Sequence, residues 1–236
     1  MGDEGLVEGI RTALRAVADP AKAQPMRAYM KSAMPFLGVP TPERTRALRP
    51  VLAAHPIADP AGCRGAIRTL WRDATYREER YAALALAHRY PAHLSADPHA
   101  SLELLDELVV TGGWWDLVDD TAIRLVGPLL LAHPDVVAPA IRRWARDADR
   151  WRRRTAVICQ IGAKDRVDTA LLAEAIEANV DDPDFFLRKG IGWALRQHAR
   201  LDPDWVRGFA ATHALSPLSR REALKHLEDR PGSPGR

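Results

Sequence analysis

Apolar residues recur along this chain at helical spacing. Cys63, Ile67, Leu70 and Trp71 stand at i, i+4, i+7 and i+8, and Tyr81, Leu84, Ala85 and His88 at i, i+3, i+4 and i+7, so each set lines one helical face. No stretch alternates apolar and polar residues as a half-buried strand does. Proline and glycine punctuate the pattern. Asp19-Pro20, Thr41-Pro42 and Asp182-Pro183 each place a capping side chain ahead of a proline, whose fixed φ suits the first helical turn. This punctuation predicts about a dozen helices of roughly 10 to 17 residues.

Three helix ends resemble one another: AAHP at 53–56, LAHRYP at 86–91 and LAHP at 131–134, with their prolines 35 and 43 residues apart. That period is typical of stacked helix pairs. The expected fold is all-α, a curved α-solenoid of HEAT-like antiparallel helix pairs whose concave face is an extended binding surface. One such domain is expected over 1–229. The tail 230–236, RPGSPGR, has no apolar residue to bury and is expected to be disordered.

Composition narrows the function classes. Of the 236 residues, 47% are hydrophobic and 28% charged, and the net charge of +3 favours an acidic partner. Cys63 and Cys159 both sit in apolar helical patterns, which makes them core thiols rather than a disulfide framework. No apolar run approaches the roughly 20 residues that span a bilayer, and MGDEGLVEG lacks the features of a signal peptide, so a cytoplasmic protein without membrane contact is expected. A phosphate-binding glycine loop, a GxSxG elbow, an HExxH pair and a CxxC pair are all missing. His88, His93 and His99 bracket a proline-containing loop with no cysteines beside them, so neither a metal nor a cofactor is expected.

Three stretches hold the candidate chemistry. In TGGWWDLVDD, 111–120, Gly112 and Gly113 end one helix and Trp114 opens the next, which puts Trp115 and Asp119 at i and i+4 on one face. Trp114 is read as a core residue; Asp116 already serves the first helical turn and three neighbouring acids repel one another, so a purely structural role fits Asp119 less well than it fits Asp116. The run RRWARDADRWRRR, 142–154, sets seven arginines against two aspartates. Most of such a run is a solvated face, but Arg154 borders the apolar side, four residues before Ile158, where a guanidinium can clamp a phosphate. In DDPDFFLRKGIGWALRQH, 181–198, Phe186, Lys189, Trp193 and Arg196 form an aromatic and basic stripe interrupted by Gly190 and Gly192. Two glycines in a helix interior imply a close neighbour, either another helix or a ligand. Tyr29 and Lys31 near the start and Arg220, Arg221 and Lys225 near the end complete an interleaving that suits a nucleic-acid groove.

Taken together, PMRAYMKSAMPFLGVPTPER, TGGWWDLVDD, RRTA at 153–156, FFLRKGIGWALR at 185–196 and LSPLSRREALKHL resemble the DNA alkylation repair proteins of the AlkD type, HEAT-like helical DNA glycosylases, in order over almost the whole chain. The resemblance implies that Asp119 is the catalytic carboxylate, with Trp115, Trp193 and Arg154 as its companions in the site. It implies Tyr29, Lys31, Arg153, Lys164, Lys189, Arg220, Arg221 and Lys225 as DNA-binding positions. The implied activity is release of 3-methyladenine and 7-methylguanine from double-stranded DNA by a monomer that works on the nucleoid. A departure falls at Gly162, where relatives can carry a lysine, with Lys164 nearby; it bears on phosphate contacts rather than on the central reaction. The competing class is a noncatalytic helical-repeat module that binds DNA structures or a protein, since solenoids often serve as scaffolds.

Overall fold

The computed structural model describes residues 2–227, and the tail expected from Arg230 lies outside them. The fold is all-α, and among the described residues there is no strand. The chain divides into two compact units, Met1–Leu104 and Leu105–Arg236.

The first unit contains α1 (Gly2–Ala16), α2 (Pro20–Met30), α3 (Thr41–Ala54), α4 (Pro60–Arg72), α5 (Arg77–Arg89) and α6 (Pro91–Ser95). Its core forms where α1 packs on α3, α4 and α5, burying Leu6, Ile10, Leu14, Leu48, Ile67, Leu70 and Leu86. Cys63, Ile67, Leu70 and Trp71 of α4 are all buried, as their spacing predicts. On α5 the expected stripe is only part of the buried surface. Ala82, Ala83, Leu86 and Ala87 are buried while His88 is half-exposed, because α5 packs against α1, α3, α4 and α6 and keeps little solvent face.

A charged group anchors this core. The carboxylate of Glu78, fully buried at the start of α5, accepts the backbone N–H groups of Leu37 at 2.9 Å, Gly38 at 3.0 Å and Val39 at 3.1 Å. Three loop donors that would otherwise be orphaned in the interior are thereby satisfied. Gly38 is required in that loop: its φ is +81°, and a Cβ there would stand 2.0 Å from the Asp19 carbonyl oxygen.

The second unit begins within α7 (Pro98–Gly112) and continues through α8 (Trp115–Thr121), a π-helical turn (Ala122–Val126), α9 (Gly127–Ala132), α10 (Pro134–Trp144), α11 (Arg150–Ile158), two 3₁₀ turns (Cys159–Gly162 and Lys164–Arg166), α12 (Thr169–Glu177), α13 (Phe185–His198), α14 (Pro203–Thr212) and α15 (Pro217–Leu224). The π-helical turn has a local cause. Pro128 lacks an N–H and would crowd the carbonyl four residues back, and a wider turn just before it keeps α8 and α9 in one continuous rod. Cys159 is buried, and burial pushes its thiol up to about 12, so it behaves as a core residue like the buried Cys63.

The capping signals hold in kind and shift in register. Asp19 caps α2 by accepting the Ala21 N–H, as predicted. At Thr41-Pro42 the helix already includes Thr41, and Pro40 takes the cap position. At Asp182-Pro183 the helix begins later than expected. Asp184 accepts the N–H groups of Phe186 and Leu187, and Asp182 instead accepts the N–H of Asp184. The histidines of the repeated ends mark stops: His55 follows α3 and His133 follows α9, both in non-helical backbone.

Candidate active site

Gly112 is the last residue of α7, and Gly113 turns the chain with a φ of +55°, a conformation that favours glycine. Trp114 is the cap of α8 rather than its first residue, so its side chain leaves the helix and lies against Trp151 of α11 and Phe186 of α13 in edge-to-face contacts. With Val109 and Val118 these rings form a core cluster fed by α7, α8, α11 and α13, in keeping with the core role expected of Trp114. Trp115, the first residue of α8, is 37% exposed, and Asp119 follows one turn later on the same face.

Asp119 is held by Arg154. The Nε donates to Oδ1 at 2.6 Å and Nη2 to Oδ2 at 2.7 Å, a two-point fork between α11 and α8. The Nη1 donates to the backbone carbonyl of Phe186, which ties the same guanidinium to α13. The pair is nearly out of solvent, with side-chain exposures of 5% for Arg154 and 14% for Asp119. Burial pushes the Asp119 carboxyl above the ordinary aspartate range; Arg154 pulls it back through its hydrogen bonds and charge, and the charge of Asp116 adds to the upward push.

Beside this pair α11 and α13 come close, which brings the Phe186 carbonyl within reach of Arg154. A Cβ on Gly190 would stand 3.0 Å from Arg154 Nη1 and 3.3 Å from Ile158 Cγ2. On the other side of α13, a Cβ on Gly192 would stand 2.5 Å from Glu222 Cβ and 2.9 Å from the Ser219 carbonyl oxygen of α15. Of the two causes expected for this glycine pair, neighbouring helices account for both positions. Trp193, half-buried, lies three residues beyond Gly190 on α13.

The cationic positions divide by what their heads touch. Lys189 donates to Glu222 Oε1 at 2.7 Å, and Arg196 binds the other oxygen of the same carboxylate. These two cations hold Glu222 below the usual carboxylate range, Lys189 most strongly. Arg153 is engaged by the carbonyl oxygens of Asp147 and Ala148 and by Asp182, and Arg220 by the carbonyl of Ala210. Lys164, Arg221 and Lys225 are exposed. Tyr29 and Lys31 belong to the first unit: Tyr29 is 79% exposed near the end of α2, and Lys31 caps that helix in the left-handed region with a φ of 49°. Of the histidines weighed as a metal cluster, His93 stacks on Tyr90, and its Nε2 lies 3.1 Å from the Ile57 carbonyl. Among the described residues, no helix is long and apolar enough to cross a membrane.

Residues 10–227 match the family model described as DNA alkylation repair enzyme. The chain belongs to that family. A DNA alkylation repair family member is also what its likeness to a solved structure indicates. The chain is similar to a predicted DNA alkylation repair enzyme from Enterococcus faecalis, at 29% identity over 90% of this chain and 98% of the other, with a TM-score of 0.77. No curated protein matches the chain. Around Asp119 a largely buried carboxylate meets a cation, with the partly exposed Trp115 one turn earlier on the same helical face.

Three participants were not legible beforehand. The Phe186 carbonyl that receives Arg154 gives no sequence signal, because a backbone acceptor is independent of residue type. Glu222 offered only its place in RREALKHL. Trp151 stands within the arginine run, but its contacts with Trp114 and Phe186 depend on helix packing that the sequence does not give.

Proposed function

We propose that this family member is a DNA glycosylase that hydrolyses the N-glycosidic bond of cationic alkylated purines, 3-methyladenine and 7-methylguanine, in duplex DNA. The observation that carries the reading is the Asp119 carboxylate, largely withdrawn from water, braced by Arg154 and one helical turn from the exposed Trp115. Alkylation at N3 or N7 leaves the purine positively charged, so the base departs as a neutral group and needs little acid assistance. The barrier lies in the sugar, where breaking the bond to C1′ builds oxocarbenium character. A nearby carboxylate stabilises that charge most strongly where water is scarce. Water then bonds to C1′ and its proton passes to the carboxylate or to solvent.

Asp119 suits this role. Each carboxylate oxygen accepts one N–H from Arg154 and keeps a lone pair for water or for the developing charge. The electron-rich faces of Trp115 and Trp193 favour a cationic sugar or base. The sequence suggested that Arg154 clamps a backbone phosphate; its guanidinium is instead 5% exposed and spends its donors on Asp119 and the Phe186 carbonyl, so the role that fits it is bracing the carboxylate. Exposed Lys164, Arg221 and Lys225 would bring in phosphates and offset the repulsion between Asp119 and DNA.

The test is chromatographic detection of free base from methylated duplex DNA, for the wild type beside Asp119→Asn. The expected result is release of 3-methyladenine or 7-methylguanine by the wild type alone, with DNA binding kept by the variant. Unchanged release by Asp119→Asn would move the chemistry elsewhere. Binding by both proteins without release by either would favour the noncatalytic module.

A further inference from the structure

Arg154 has to make three hydrogen bonds at once, two to Asp119 and one to the Phe186 carbonyl, and it does so against the backbone of α13. The point of closest approach is Gly190, where even a methyl group would meet Nη1 at 3.0 Å. That is tighter than nine in ten real Cβ contacts, so the guanidinium or the helix must give by a few tenths of an ångström. The guanidinium is the softer of the two, since it ends a flexible side chain, and any retreat lengthens its bonds to Asp119. Helix propensity alone disfavours glycine here, because alanine is the better residue in a helix interior. The position of Gly190 in mid-helix is therefore explained by what it leaves room for.

We infer that Gly190 is a positioning residue for Asp119: the missing side chain lets the Arg154 fork close on the carboxylate. The catalytic consequence rests on the glycosylase reading, whereas the positioning itself does not. Gly192 provides the internal contrast, because the atoms it makes room for belong to Glu222 and Ser219 of α15 and not to the Arg154–Asp119 pair. The charges acting on Asp119 are Arg154 from α11 and Asp116 from its own helix, so loosening Arg154 leaves the upward pushes of burial and Asp116 less opposed.

The experiment follows the Asp119 side-chain carboxyl by carbon-detected NMR through a pH titration of the full-length protein. The wild type is compared with Gly190→Ala, Gly190→Val and Gly192→Ala, and base release is measured in parallel. The Asp119 midpoint is expected to rise from glycine to alanine to valine at position 190. For misplacements of this size kcat should fall roughly threefold for alanine and roughly tenfold or more for valine, with KM changed less than about twofold. The acid limb of the rate profile should move to higher pH with the titration midpoint. Gly192→Ala should lower the melting temperature and leave the Asp119 midpoint in place. A lysine at 154 has no Nη1, so in an Arg154→Lys background Gly190→Ala should add nothing.

An unchanged Asp119 midpoint in folded Gly190→Ala and Gly190→Val would overturn the inference, as would an equal added shift in the Arg154→Lys background. If valine prevents folding, alanine and the lysine background still decide. A wild type that releases no base while the titration midpoints shift as expected would sink the glycosylase reading and leave the positioning role supported.

Discussion

Replacing Arg154 with methionine removes the fork while keeping a chain of similar reach, and its cost follows from the burial of what it leaves behind. The partner carboxylate is only 14% exposed, and both its oxygens lose their donors at once. Breaking such a pair from one side costs about 3–5 kcal/mol, because the remaining charge stays buried and uncompensated. For a chain of this length each kcal/mol moves the melting temperature by about 2–4 °C, so a fall of roughly 6–20 °C is expected near neutral pH. The cost depends on Asp119 being ionised. Burial already raises its pKa above the unfolded value of 3.8, and removing the opposing arginine raises it further. A carboxyl with a raised folded pKa takes up its proton more readily in the native state, so acid relieves the penalty and rising pH restores it. The destabilisation should therefore be largest well above the raised pKa and should shrink as pH falls through it. Thermal melts of wild type and Arg154→Met, each with and without Asp119→Asn, measure this directly. In the Asp119→Asn background the arginine substitution should cost clearly less than in the aspartate background. An equal cost in both backgrounds, or a cost that does not change with pH, would refute the account of a buried ion pair centred on Asp119.

Two further outcomes follow from local geometry. Gly162 is exposed, and a Cβ there would make only ordinary contacts, 3.7 Å to Ile123 Cγ2 and 3.8 Å to the Ile123 carbonyl, so Gly162→Lys should fold normally. It should tighten duplex DNA binding and steepen the salt dependence by about 0.9 in log–log slope if the added charge meets a phosphate, as read by fluorescence anisotropy over a salt series; an unchanged slope would place position 162 away from the DNA backbone. Glu78→Gln leaves one acceptor oxygen and an amide group facing the N–H groups of Leu37, Gly38 and Val39, so at least one buried donor loses its partner. A loss of about 1–3 kcal/mol or more is expected from the urea midpoint, and an unshifted midpoint would mean that the loop finds other partners.

The all-α fold was readable from apolar spacing, because a helical face buries whatever the details of its neighbours, as Cys63, Ile67, Leu70 and Trp71 do. Details decided by neighbours were less readable. The buried surface of α5 exceeds its predicted stripe since four helices contact it, and the start of α13 moved to Phe185 since Asp184 competes with Asp182 for the capping role. The π-helical turn before Pro128 could be reached only by knowing that the rod continues through the proline. At the candidate site, Trp115 and Asp119 were legible as neighbours because i and i+4 on one helix need no tertiary information. Arg154 was placed at the edge of an apolar face, which proved to be its setting, but its partner lies 35 residues away on α8 and no local rule names it.

The same geometry explains why an acidic spot stands in a basic chain. An isolated carboxylate at this depth would be protonated or would repel a polyanion, and neither state would stabilise a cation. The arginine resolves both problems in one contact. It opposes the desolvation that pushes the Asp119 carboxyl upward, and it presents the approaching DNA with a locally balanced pair instead of a bare negative charge. The balance is held by geometry rather than by charge alone: the fork fits because the Phe186 carbonyl anchors its third arm and because Gly190 leaves the space. On this argument α13 acts on the acidity of Asp119 through Arg154, so substitutions at Gly190 should shift the Asp119 titration although α13 does not carry the carboxylate.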